Sequence, residues 1–156
     1  MIEYSVDTAG ARARIDEVVK RAENMEKALN VIGRMAVSEV KLNFIEGGRV
    51  PVGWENPTGK YVDPGKWTPL TQYTLDHRRK EGRGAKILID TAVLMGSISY
   101  RIEGETLLVG TVIKYGRDHQ FGTHRVPPRP FITFLPETMD EFRVIAARYI
   151  IDGESA

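Results

Sequence analysis

The sequence predicts an α+β fold: a small, mostly antiparallel β-sheet packed against a long N-terminal helical segment and a C-terminal helix, with a long Gly/Pro-rich loop. Three observations carry this. Apolar residues recur at three- and four-residue steps through 11–44 and again after Pro136, the period of a helix with one buried stripe. Between 97 and 134 the period drops to two, the signature of strands. Residues 46–69 hold five glycines and four of the chain's eight prolines, a composition in which no regular element persists. With 156 residues and 42% hydrophobic content, the chain has enough for one core and too little for two, so 1–156 reads as a single domain.

Taken in order, Ile2, Tyr4 and Val6 alternate with polar residues as a short edge strand. Asp7 or Thr8 can cap the helical segment that follows, and Ile15, Val18, Val19, Ala22, Met25, Leu29, Ile32, Met35, Ala36 and Val40 form its stripe. It is one helix or two, broken near Asn24, and the stripe faces the core. In the 46–69 loop, Trp54, Tyr61 and Trp67 argue against a purely solvated linker, and two readings stand side by side: a segment ordered against a neighbouring subunit, or a loop folded on its own core.

Thr68 and Pro69 read as N-cap and first residue of a helix ending in His77-Arg78-Arg79-Lys80, where cations suit the helix dipole. Arg83 and Lys86 extend the basic run, which is either a DNA-phosphate contact or a solvated helix end. Ile87–Met95 reads as a second short helix. Ser97–Ile102 alternates as a strand, and Glu103-Gly104-Glu105 turns it back into a hairpin. In the returning strand, Leu107, Val109, Thr111 and Ile113 share one face, with Leu108, Gly110 and Val112 on the other. That pattern suits a strand covered on both sides. Phe131–Phe134 adds a third strand, and Pro136 starts a final helix whose Met139, Phe142, Ile145, Ala146, Tyr149 and Ile150 share one side, before a fraying tail from Asp152.

Between the last two strands lies a corner. Residues 115–122, with Tyr115, His119, Gln120, Phe121 and Gly122, read as a compact turn or one helical turn. Pro127, Pro128 and Pro130 then fix φ three times and remove three backbone donors, so the chain leaves extended. Arg129 is held out from this rigid stretch, suited to a bidentate contact with a carboxylate or with backbone carbonyls, bracing the corner or reaching a neighbour.

Val109-Gly110-Thr111, Tyr115, His119-Gln120-Phe121-Gly122 and Pro127-Pro128-Arg129-Pro130-Phe131 resemble the signature of the phage virion morphogenesis family, the tail-completion proteins of Mu-like and related contractile-tailed phages. Gly116 and Pro128 each stand where that pattern carries alanine. Upstream, Trp67-Thr68-Pro69-Leu70 with Thr74, then Ile87-Leu88, Leu94 and Ser97-Ile98, match further segments in the same order, so the resemblance runs from about Phe44 to Phe134. It implies a structural virion protein with no cofactor, which closes the head-proximal end of a tail tube and helps join it to the head. It also implies a ring of identical copies, commonly a hexamer, with tail-tube and neck or connector proteins as partners.

The remaining classes are weaker. Twenty-two basic against 21 acidic side chains give a formal charge of +1 and no global pull toward nucleic acid or membrane. There is no cysteine, which excludes disulfide and thiolate chemistry. No apolar run approaches a membrane span and no export signal precedes the first helix, which points to a soluble protein of the producing cell's cytosol, later part of the virion. Asp118, His119 and His124 are the one cluster with metal or acid–base chemistry, but their spacing matches no helical zinc pair. Imidazoles bonded to the backbone of a Gly-rich corner are the favoured reading, and the sequence offers nothing an enzyme needs. Besides the virion reading there remain a nucleic-acid-contacting connector or head-assembly component, using Arg78, Arg79, Lys80, Arg83 and Lys86, and a metal hydrolase at His119 and His124.

Overall fold

The long helical segment is two helices, α1 (Thr8–Ala22) and α2 (Glu26–Glu46), parted where Asn24 Oδ1 accepts from the Glu26 amide at 3.4 Å. The computed structural model describes residues 8–154, so the expected strand over 2–6 and the end of the fraying tail lie outside it. Helix α2 is the spine of the fold: Ala28, Ile32, Ala36, Val40, Asn43 and Phe44 are buried along one stripe. Gly47, left-handed at φ 76°, ends it, a conformation glycine adopts without penalty. The stripe on α1 is a correction to the sequence reading. No residue of α1 is buried, and Ile15 and Val19 are 61% and 48% exposed. The helix packs on α6 (Pro136–Asp152), and among the described residues its apolar side stays largely bare.

Strands β1 (Ser99–Glu103) and β2 (Thr106–Gly110) form an antiparallel hairpin in which Tyr100 pairs with Val109 and Ile102 with Leu107. Gly104 turns the chain at φ 60°. The hairpin lies on α2, where the Tyr100 ring rests on Gly33 and its hydroxyl donates to Asn30 Oδ1 at 3.0 Å. A Cβ at Gly33 would come within 2.7 Å of Tyr100 Cγ, so glycine is what allows the close approach. Leu107 and Val109 pack with Ile32, Ala36 and Phe142. Ser97 is spent on the preceding helix, its hydroxyl donating to the Leu94 carbonyl at 2.7 Å, so the first strand starts later than the alternation suggests.

Three further expectations are overturned. The returning strand is covered on one face only: Leu108 is 37% exposed and Val112 86%. The helix expected at Ile87–Met95 shrinks to α4 (Val93–Gly96), because Leu88 and Ala92 both take φ 58°, which no right-handed helix accommodates. Phe131–Phe134 is irregular, with a bend at Ile132, and among the described residues it pairs with no strand, the sheet there having two.

Helix α3 (Gln72–Lys80) starts three residues later than expected: Thr71, not Thr68, is the N-cap, its hydroxyl accepting from the Thr74 amide at 3.3 Å. The main core gathers Val40, Phe44, Val50, Trp67, Leu94, Ile98 and Phe131, and a second cluster of Ile32, Ala36 and Phe142 joins α2 to α6. Along α6, Phe142 and Tyr149 are buried while Met139 is 38% exposed.

Candidate functional site

The corner is built around two side-chain amides. Gln120 lies on α5 (Gly116–Phe121), the single helical turn, and is buried. Its Oε1 accepts from the amides of Phe131 and Ile132, both at 3.0 Å, and its Nε2 donates to the Ile132 carbonyl at 3.3 Å. From the other side, Asn43 Nδ2 donates to the carbonyls of Phe131 at 2.8 Å and Thr133 at 3.0 Å. Buried backbone groups require partners. Here two amide side chains supply what a neighbouring strand would, so Phe131–Phe134 is held without joining a sheet among the described residues.

Gly116 fits because a Cβ there would fall 2.9 Å from Thr111 Cγ2. Gly122, at φ 74°, lets Pro128 close against the turn, with its ring nitrogen 2.7 Å from where a Cβ would stand. Arg129, 7% exposed, ties the corner down: its amide donates to the His119 carbonyl at 2.7 Å. Its Nε donates to the Thr68 carbonyl at 3.1 Å and its Nη2 to the Pro69 carbonyl at 3.3 Å. Those two carbonyls are therefore committed to a side chain, consistent with α3 starting only beyond them. Pro130 offers its carbonyl to Trp67 Nε1 at 2.9 Å, and the Trp67 and Phe131 rings flank Phe44.

Tyr115 and His119 meet edge to face, with ring centres 5.9 Å apart. Burial, then the Arg129 guanidinium, lowers the His119 pKa below its ordinary 6.5, against the opposing pull of Asp118. Burial, then Arg78, likewise lowers that of Arg129. Among the described residues no group of three or more His, Cys, Asp or Glu is arranged to hold a metal ion. No helix of the described chain is long and apolar enough to cross a membrane.

The three loop aromatics part company. Trp67, expected at an interface, is 3% exposed in the core, because its ring fills the space beside Phe44 and its N–H has a partner within the chain. Trp54 is half-buried against the same core, whereas Tyr61 is 79% exposed. The loop is anchored to its own chain, through a bridge between Val50 and Gly65 and through Asn56 Nδ2 donating to the Phe121 carbonyl at 3.1 Å. The basic run is also divided. Arg78 donates to the carbonyls of Gly84 and Lys86 and lies 3.7 Å from Asp90, and Arg83 pairs with Asp90 at 2.9 Å. Arg79, Lys80 and Lys86 are exposed and make no ion pair among the described residues.

The phage virion morphogenesis family model matches residues 6–151. The chain belongs to that family. A curated relative, the Mu-like prophage FluMu G protein 1 of Haemophilus influenzae, is 26% identical over 149 residues, covering 94% of this chain and 93% of the relative. No solved structure matches. Within this virion morphogenesis protein, the motif residues scattered over 109–131 thus converge on one corner, with Trp67 beside them. Asn43 completes the corner and escaped the motif reading. Its one signal was a polar amide set three residues after Val40, on the buried stripe of a helix.

Proposed function

We propose that this phage assembly protein is a structural component that completes the head-proximal end of a tail tube and helps join the tail to the head, acting as a closed ring of identical copies. The family match and the Mu-like prophage relative support a role in phage assembly. The observation that supports self-association is the open side of the returning stretch: Leu107 and Val109 pack on the core, while Leu108 on β2 and Val112 just beyond its end stand 37% and 86% exposed among the described residues. A two-stranded sheet also has unpaired edges, and surfaces of this kind are normally covered by a partner. In a ring the covering surface belongs to the next copy, through a heterologous contact repeated until it closes. Tyr61 and Val52, at the outer end of the loop, are 79% and 89% exposed and form a second candidate contact, toward tail-tube or neck proteins. Any contact with passing DNA falls to Arg79, Lys80 and Lys86, since Arg78 and Arg83 are already engaged with Asp90.

Native mass measurement tests this reading. The wild-type chain should form a discrete closed oligomer at micromolar concentration, and Val112→Glu should reduce it to the monomer with unchanged circular dichroism. A wild-type chain that stays monomeric both alone and with purified tail tubes would overturn it.

A further inference from the structure

Beside the corner lies a cavity of 230 Å³ whose floor and sides include Arg78, Arg129, His119 and Tyr115, with Leu88 and Leu94 as apolar wall. Its charge is unbalanced. Asp90 also lines it, but its carboxylate is shared between Arg83 at 2.9 Å and Arg78 at 3.7 Å. Arg129, more than nine-tenths buried, reaches only neutral carbonyls, and no carboxylate among the described residues pairs with it. A buried guanidinium without a counter-charge is costly, and a carboxylate is the group its planar fork best accepts. His119 Nδ1 is buried nearby with no hydrogen-bond partner. The wall is stiffened where Leu88 and Ala92 hold φ 58°, a conformation that persists only where the surrounding structure imposes it.

We propose that this cavity recognises a carboxylate carried by a protein partner, an acidic side chain or a chain terminus, with the Arg129 guanidinium as its principal donor. The volume decides against larger ligands, since pockets for cofactors and nucleotides run from roughly 300 Å³ upward. Asp90 at the lining disfavours a doubly charged phosphate more than a singly charged carboxylate, and a recess of this size does not admit a nucleic-acid backbone. Leu88 and Leu94 suit the aliphatic stem that an acidic side chain brings with it. The inference rests on the cavity alone and not on the tail-end reading, so either fails without the other.

The test is an NMR titration of the full-length chain, reading the Arg129 Nε–H and His119 ring signals. Acetate should shift both saturably in the millimolar range, while chloride at equal ionic strength should not. Two capped tripeptides then separate the sources: Ac-Ala-Glu-Ala-NH2 carries only a side-chain carboxylate, and Ac-Ala-Gln-Ala with a free C-terminus only a terminal one. Saturation by either supports the assignment and identifies the source. Arg129→Lys should weaken the binding about tenfold or more, because a point charge does not reproduce the fork. The wild-type titration stands on its own if that variant does not fold. Saturation by phosphate but not by acetate or either peptide, or no saturable shift at all, would overturn the proposal.

Discussion

Asn43 and Phe131, separated by 88 positions in sequence, are joined by a hydrogen bond of 2.8 Å from the Asn43 side-chain amide to the Phe131 carbonyl, wholly inside the core. The bond welds the spine helix to the segment leaving the proline corner. With the second bond to Thr133 and the Gln120 clamp opposite, it turns an irregular stretch into a fixed part of the fold.

Replacing Asn43 with leucine leaves two buried carbonyls without a donor. Each orphaned group costs about 1–3 kcal/mol, so a loss of roughly 2–6 kcal/mol is expected by urea denaturation. A change below about 0.5 kcal/mol, the range of an ordinary surface substitution, would contradict the assigned role.

Asn43 and Gln120 act on the same segment from opposite sides, so their removals should not add. Once Gln120→Leu frees the Phe131 and Ile132 amides, the segment shifts and the Asn43 bonds are already weakened. In a double-mutant cycle the combined loss should fall short of the sum by about 0.5–3 kcal/mol. Strict additivity would mean that the two amides hold independent structures.

Gly33→Ala should destabilise the protein although alanine is the better helix former by about 1 kcal/mol. The new methyl group collides with the Tyr100 ring, which lies directly on Gly33 and is tied to Asn30. Tyr100→Ala in the same chain should relieve the collision, so the double variant should lose less than the two single losses combined. A stabilised Gly33→Ala chain would show that the hairpin does not sit on the helix at this point.

His119 gives a pH signature of known sign. Its folded-state pKa lies below the ordinary 6.5, so below pH 6.5 the unfolded chain takes up a proton before the folded one does. Stability present above that pH is therefore lost as the pH falls toward the lower, folded-state value. His119→Gln, which does not titrate, should show a flatter dependence between pH 7.5 and 5.5. Identical slopes of urea midpoint against pH in the two proteins would contradict the burial of a neutral ring.

The helices and the hairpin were legible because their apolar periods differ and because prolines and glycines punctuate them. The corner was legible as a motif, through the run from Tyr115 to Phe131, but its energetics were not. Asn43 and Gln120 replace a strand partner by side-chain bonds across long sequence separations, and no local pattern encodes that, so Phe131–Phe134 read as a third strand. Trp67 read as an interface residue because its loop is rich in glycine and proline, whereas the ring reaches back to Phe44. On α1 the helical period was right, but periodicity records an apolar face without saying what covers it. Ile15 and Val19 stand exposed among the described residues.

The role at the tail end is tested most directly by electron microscopy of particles assembled without this protein. The account predicts filled heads beside tails that are overlong or unattached, restored to normal length and joined when the wild-type chain is supplied. Normal tails beside defective heads would contradict it and place the protein in head assembly.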